Sequence, residues 1–255
     1  MSVERPAMRA TLNKAAQFGR EMLTGLQDLM WPPVCIVCKT VGDSFFCPEC
    51  RDLITPIQAP SCSRCGYPGA NLRCPHCGEA PWTKRDPCDA MRQVAVYEDV
   101  WRDAILEYKI RGMKCLADEL GRSLTDWMDQ ASAVWRECDA VVAVPGLRIR
   151  GWELGFHHAE ELAVRVARHM DLPLIHPLKR LPGPDLARQK LTREERMATA
   201  KTLYALRAGY GNLYGKRILV IDDIVTTGST AHAVADQLKR GGAAKVRLLA
   251  LARTP

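Results

Sequence analysis

Eight cysteines of this chain fall into four CxxC pairs, and the pairs form a repeat. Cys35-x2-Cys38-x8-Cys47-x2-Cys50 is followed by Cys62-x2-Cys65-x8-Cys74-x2-Cys77, the first set moved on by 27 residues from Cys35 to Cys62. Two thiolates two residues apart on a tight turn bind one Zn²⁺ from one side, and a second pair closes the tetrahedron. Gly42, Pro48, Gly66, Pro75 and Gly78 supply turn formers where such knuckles need them. Metal binding is folding energy for a segment too small to bury a core. The spacing predicts two closed, structural four-cysteine zinc sites. Cys35, Cys38, Cys47 and Cys50 would form one and Cys62, Cys65, Cys74 and Cys77 the other, with interleaved pairing of Cys35/Cys38 and Cys62/Cys65 left open. A redox reading is weaker, because thioredoxin-like motifs occur singly at a strand-to-helix junction. His76 reads as a surface residue. Cys88, Cys115 and Cys138 bring the total to 11, an odd count that disfavours a disulfide framework.

The 255 residues are 47% hydrophobic and 25% charged, which excludes a disordered, collagen-like or coiled-coil chain and allows one large or two small domains. No apolar run approaches the roughly 20 residues of a membrane helix, and Glu4, Arg5, Pro6, Arg9 and Lys14 interrupt any secretory segment. The expectation is a cytoplasmic protein without membrane insertion. Leu12, Ala15, Phe18, Met22, Leu26 and Leu29 have helical spacing, so residues 1–31 are assigned an N-terminal helix that packs on its own protein, ended by Trp31-Pro32-Pro33. The zinc-binding part is assigned to 32–90. From 91 to 255 strands and helices alternate: Val94–Tyr97, Ala140–Val144, Arg217–Ile221 and Val246–Leu251 read as strands. Helical faces fall between them, including Trp101/Ala104/Ile105/Tyr108, Leu116/Leu120/Leu124/Trp127/Met128 and Ala231/Val234/Ala235/Leu238. A further helix is read with Phe156, Ala159, Leu162, Ala163, Val166 and Ala167 inward. The pattern predicts an α/β domain with a parallel sheet covered on both faces.

The strongest strand runs into Asp222-Asp223-Ile224-Val225-Thr226-Thr227-Gly228-Ser229-Thr230 and then a helix. Ligands of open α/β sheets bind at such strand ends, and a helix N-terminus favours phosphate. Gly228 allows close approach of the backbone, and four hydroxyl residues add donors. Two carboxylates repel a phosphate but suit hydroxyl groups or a divalent cation. A ribose 5-phosphate with free 2′ and 3′ hydroxyls presents all of these groups. The segment exceeds what a helix cap requires. Neither GxxxxGK[ST] nor GxGxxG is present, which excludes a P-loop.

Ile218 to Thr230, ILVIDDIVTTGST, resembles the phosphoribosyl-pyrophosphate (PRPP) motif of type I phosphoribosyltransferases. With the CxxC pairs before it and Tyr97…Lys109-Ile110-Arg111-Gly112 between, the chain resembles the ComF family of competence-associated proteins over nearly all of residues 26–253. The resemblance implies a double zinc ribbon fused to a type I phosphoribosyltransferase-like domain. It further implies that Asp222 and Asp223 hold ribose hydroxyls and that Thr226, Thr227, Gly228, Ser229 and Thr230 cradle the 5-phosphate. Val144, Pro145, Gly146, Leu147 and Arg148 would form the pyrophosphate loop, with Arg148 or Arg150 neutralising the leaving group. Lys109 matches a family lysine. Where the family has Arg-Gly-Phe-Asn-Gln, this chain has Leu154-Gly155-Phe156-His157-His158, and the two histidines read first as helix-surface residues and second as imidazole donors that replace the family's pyrophosphate contacts. Gln189, Leu191 and Arg196 fit a glutamine/arginine segment of the family; Thr199 stands where an asparagine is common.

Residues 179–217 hold ten basic residues (Lys179, Arg180, Arg188, Lys190, Arg193, Arg196, Lys201, Arg207, Lys216, Arg217) and three acids (Asp185, Glu194, Glu195), a surplus equal to the formal +7 of the whole chain. This reads first as a mobile loop closing over pyrophosphate and last as a track for a nucleic-acid backbone. Its aromatics, Tyr204, Tyr210 and Tyr214, are confined to the second half. Three functions follow: a PRPP-dependent transferase using Mg²⁺, a non-catalytic nucleotide sensor, and a single-stranded DNA-handling protein working with other DNA-uptake proteins. Zn and Mg are the expected metals. For the transferase, the resemblance implies a purine or pyrimidine acceptor.

Overall fold

The structure is a computed structural model that describes residues 32–69, 74, 77, 86–146, 156–183 and 191–255. The expected N-terminal helix and His76 lie outside these residues, as do Leu147, Arg148, Arg150, Leu154, Gly155 and Gln189. The chain divides into two compact units, Met1–Asp52 and Leu53–Pro255. The boundary expected at residue 90 falls inside the larger one.

The smaller unit is built on a knuckle. Cys35 donates its N–H to Thr40 O at 2.8 Å, and Lys39 donates to Cys35 O at 2.9 Å. Lys39 takes a left-handed backbone with φ 63°. Val34 and Val41 form an isolated antiparallel bridge, and the short helix α1, Pro48–Asp52, carries Cys50. The larger unit repeats this turn: Cys62 N–H donates to Tyr67 O at 2.8 Å and Gly66 N–H to Cys62 O at 2.9 Å, with Gly66 at φ 73°. The sequence repeat is thus a backbone repeat, and its left-handed position falls on Lys39 in one copy and Gly66 in the other. At Gly66 packing also disfavours a side chain, because a Cβ would lie 2.5 Å from Gln93 Oε1 and 3.0 Å from the Met91 carbonyl oxygen.

The rest of the larger unit is a parallel sheet. Its strands are β1 (Ala90–Val96), β2 (Ala140–Ala143), β5 (Arg217–Val225) and β6 (Lys245–Arg253), in the order β1-β6-β5-β2. All three pairings are parallel. Every residue of β2 is buried, as its unbroken apolar run requires. Helices α2 (Asp99–Ile110), α3 (Leu116–Gln130) and α4 (Ala133–Arg136) connect β1 to β2. Helix α5 (His158–His169) packs on β2, β5 and α3. Helix α7 (Ser229–Arg240), between β5 and β6, packs on β6 and on helix α6 (Arg193–Thr202). The apolar faces read from periodicity are the buried ones, except that Trp127 is half-buried, edge-on to Trp135 with centroids 5.2 Å apart.

Three expectations are corrected. Strand β1 starts at Ala90, because its first residues pair with β6 even though Arg92 and Gln93 break the apolar run. Phe156 precedes α5 rather than belonging to it. The basic stretch 179–217 is not a single loop: it holds an antiparallel ribbon of β3 (Leu178–Arg180) and β4 (Tyr204–Leu206), as well as α6. Among the described residues no helix is long and apolar enough to cross a membrane.

Candidate functional site

The carboxyl end of the sheet opens into a pocket of about 460 Å³. Strand β5 delivers Asp222 and Asp223 to its floor, each only 8% exposed. Their backbones are tied in place: Asp222 Oδ1 accepts the Asp223 N–H at 2.9 Å, and Asp223 Oδ1 accepts the Ile224 N–H at 2.7 Å. After β5 the chain turns through Gly228, whose left-handed backbone (φ 77°) precedes the first turn of α7. A smaller recess in this loop is lined by Asp222, Thr226, Gly228, Ser229 and Thr230. Thr227 Oγ1 donates to Ser229 Oγ at 3.1 Å. The start of α7 directs backbone N–H groups and the positive end of its dipole at this recess. The opposite rim is Val144-Pro145-Gly146 after β2, held to β5 by a 3.0 Å bond from Val144 N–H to Ile221 O.

Electrostatics separate the two acids. Lys109 Nζ is 2.6 Å from Asp223 Oδ2, and both groups are largely buried. Burial alone would raise the Asp223 carboxyl, but the Lys109 ammonium overrides it and holds Asp223 below the usual carboxylate range. Burial likewise works against the Lys109 ammonium, and the Asp223 charge keeps it above the ordinary lysine value. Among the described residues Asp222 has no ion pair of its own, and the Lys109 charge offsets only part of what raises it. Burial and the neighbouring Asp223 charge push it up to about 8. The floor therefore sets an ion pair beside an acid that holds its proton more tightly than usual. Hydroxyl donors and a divalent cation both favour losing that proton.

The pocket also receives residues that sequence reasoning missed or misplaced. Arg180 on β3 and Arg196 on α6 line it as cations. Arg180 Nη1 donates to Tyr204 Oη at 2.9 Å, and its guanidinium lies 5.5 Å from the Tyr204 ring centroid. His157 and His158 line the pocket rather than the outer helix surface; His158 is edge-on to Tyr108 at 5.0 Å and to Phe156 at 4.9 Å. Gly146 is where His157 comes close, since a Cβ there would lie 3.0 Å from His157 Nδ1. One signal for Lys109 was present in the sequence. It stands one helical turn after Ile105 on the apolar face of α2, where a lysine is out of place unless paired.

The eight paired cysteines group in sequence order, which resolves the open pairing. The four sulfurs of Cys35, Cys38, Cys47 and Cys50 lie within 4.8 Å of one another, as do those of Cys62, Cys65, Cys74 and Cys77. Individual Sγ–Sγ separations are 3.6 Å (Cys38–Cys47), 3.7 Å (Cys62–Cys77) and 3.4 Å (Cys65–Cys74). Tetrahedral zinc with Zn–S bonds of about 2.3 Å requires sulfurs about 3.8 Å apart, whereas a disulfide requires about 2.05 Å. The donor set therefore fits two structural zinc ions. Cys88, Cys115 and Cys138 belong to neither cluster.

Comparison with known proteins matches residues 26–77 to the double zinc ribbon domain and residues 158–255 to the phosphoribosyl transferase domain. Competence protein F of Haemophilus influenzae is 23% identical over 86% of this chain and 96% of its own length. The DNA utilization protein YhgH of Escherichia coli is 26% identical over 88% of this chain and 98% of its own. Competence protein ComFC of Streptococcus pneumoniae is 26% identical over 83% and 89%. Among solved structures, a purine phosphoribosyltransferase from Pyrococcus horikoshii matches 55% of this chain and 75% of its own, at 20% identity and a TM-score of 0.34.

Proposed function

We propose, from the premise that this chain belongs to the ComF family of double zinc ribbon and phosphoribosyltransferase-like proteins, that its pocket binds Mg²⁺-PRPP or a related ribose 5-phosphate nucleotide. The observation that carries this reading is the juxtaposition on one strand-loop-helix of two buried carboxylates with a hydroxyl-rich recess at a helix start. Asp222 and Asp223 accept hydrogen bonds from the 2′ and 3′ hydroxyls. The loop Thr226–Thr230 takes the 5-phosphate through backbone N–H groups and hydroxyls. Val144, Pro145 and Gly146 face the diphosphate, with Arg180 and Arg196 as the cationic wall. Arg180 and Arg196 would share the neutralisation of the diphosphate with a Mg²⁺ ion bound to it, which would supply charge compensation. For a transferase, bond breaking at C1 develops positive charge on the ribose. This chain's part is then to position the sugar and neutralise the departing diphosphate.

The names of the relatives support a role in handling DNA taken up by the cell, which we extend to this protein together with a cytoplasmic location, where zinc-binding thiols remain reduced. A nucleotide sensor uses the same pocket without turnover, and acceptor-dependent release of pyrophosphate separates it from a transferase. Calorimetric titration of the zinc-loaded protein with PRPP and Mg²⁺ tests the binding step. Binding is expected in the wild type and lost in Asp222→Asn/Asp223→Asn. No heat of binding at millimolar ligand would refute the reading.

A further inference from the structure

The second cysteine cluster stands behind the phosphate loop, and two residues join them. Met91 of β1 donates its backbone N–H to Arg64 O in the knuckle at 2.6 Å. Its thioether lies against Gly228, with Cε and Sδ 3.5 and 3.6 Å from where a Cβ would be. Arg253 is the second link. Its side chain, in a residue 4% exposed, donates to Cys65 O at 3.2 Å and lies 5.2 Å from the Tyr67 ring centroid. Its backbone pairs with Val225 and accepts the Tyr97 N–H at 2.7 Å, and the next residue, Thr254, donates to Val225 O at 3.1 Å. Tyr97 and Thr254 both line the large pocket. Gln93, 1% exposed, also donates to Cys65 O, at 3.2 Å, and Arg92 Nη1 donates to Ser63 O at 3.0 Å. A narrow cleft between cluster and loop is bounded by Cys65, Cys77, Met91, Thr227, Gly228 and Arg253.

We infer that zinc at Cys62, Cys65, Cys74 and Cys77 is a positioning element of the phosphate loop, so that its occupancy sets the order of Thr226–His232 and, through it, ligand affinity. The knuckle spans too few residues to hold its shape without the metal. Its carbonyls at Cys62, Ser63, Arg64 and Cys65 are the acceptors that orient Arg92, Met91, Gln93 and Arg253. Loss of the metal frees those carbonyls to move. The packing of Met91 behind Gly228 then weakens, and with it the position of the turn from which α7 starts. The Cys35 site belongs to the other compact unit. The affinity part rests on the ribose-phosphate reading; the loop-order part does not.

Hydrogen exchange on the full zinc-loaded chain, without ligand, reads the loop directly. In Cys74→Ser the Thr226–His232 amides are expected to exchange about tenfold faster or more, and in Cys47→Ser at the wild-type rate. Met91→Ala keeps every thiolate; it is expected to retain both zinc ions and still speed loop exchange several-fold. If Cys74→Ser unfolds the whole sheet, seen as lost protection along β5 and β6, Met91→Ala decides. Wild-type loop exchange in Met91→Ala, or in a folded Cys74→Ser, overturns the inference. Titration with Mg²⁺-PRPP should show Met91→Ala weakened in step with its loop. A wild type that binds nothing refutes the ribose-phosphate reading and leaves the exchange result to judge the coupling.

Discussion

Asp222 and Asp223 are neighbours in sequence with opposite titration behaviour, and the Lys109 ammonium paired with Asp223 is the main force that holds Asp223 low. Asp223 is held low, so its contribution to stability is present above the ordinary value of 3.8 and lost as pH falls through its folded value. Asp222 is raised to about 8, so the folded protein keeps a proton that the unfolded chain gives up near 3.8. Its contribution is complete below 3.8 and disappears as pH climbs to about 8. Asp222→Asn should remove that slope. In chemical denaturation at pH 5 and pH 8.5, the stability of the variant relative to wild type is expected to rise with pH. An unchanged difference would show that Asp222 is ionised throughout. The adjacent acids were legible from their place at a strand end. Their opposite shifts were not, because the lysine paired with Asp223 lies more than a hundred residues upstream.

At the scale of elements, α6 shows what periodicity misses. Its sequence has no long apolar stripe, and its charge surplus reads as loop. Its start is set by a capping box: Thr192 Oγ1 accepts the Glu195 N–H at 3.2 Å, and Glu195 Oε2 accepts the Thr192 N–H at 2.8 Å. Thr192-x-x-Glu195 was the local signal available. This helix carries Arg196 to the pocket, so its cap bears on the cationic wall. Thr192→Ala is expected to lower stability by about 1 kcal/mol. It should also weaken Mg²⁺-PRPP binding a few-fold, read by thermal denaturation and calorimetry. Equal affinity with reduced stability would show that Arg196 does not depend on the cap. The α7 start was easier to read, because Gly228 and the hydroxyl residues around it are contiguous.

The whole molecule consists of two units, each with one four-cysteine site. Native mass spectrometry is expected to find two zinc ions per chain. The Cys38→Ser/Cys47→Ser variant should hold one and keep the melting transition of the parallel sheet. If that transition is lost with the first site, the units do not fold independently. The second site is different: hydrogen bonds from Arg92, Gln93 and Arg253 of the sheet end on its backbone.

Local chemistry is what the sequence determined by itself. Coordination and turn geometry depend on residues two to ten apart, so the CxxC repeat picked out the eight sulfur donors but not their grouping. Strand, loop and helix start likewise depend on contiguous residues, so the Asp222–Thr230 segment was recognisable before any fold was known. The tertiary structure decided everything that rests on distant pairs. It grouped the sulfurs in sequence order, placed Lys109 on Asp223, and brought Arg180 and the two histidines to the pocket. It also set Arg253 on the carbonyl of Cys65, 188 residues away. The contact of Arg253 with the carbonyl of Cys65 depends on β1 crossing to pair with β6, a long-range choice driven by burial of whole strands, and no local spacing encodes it.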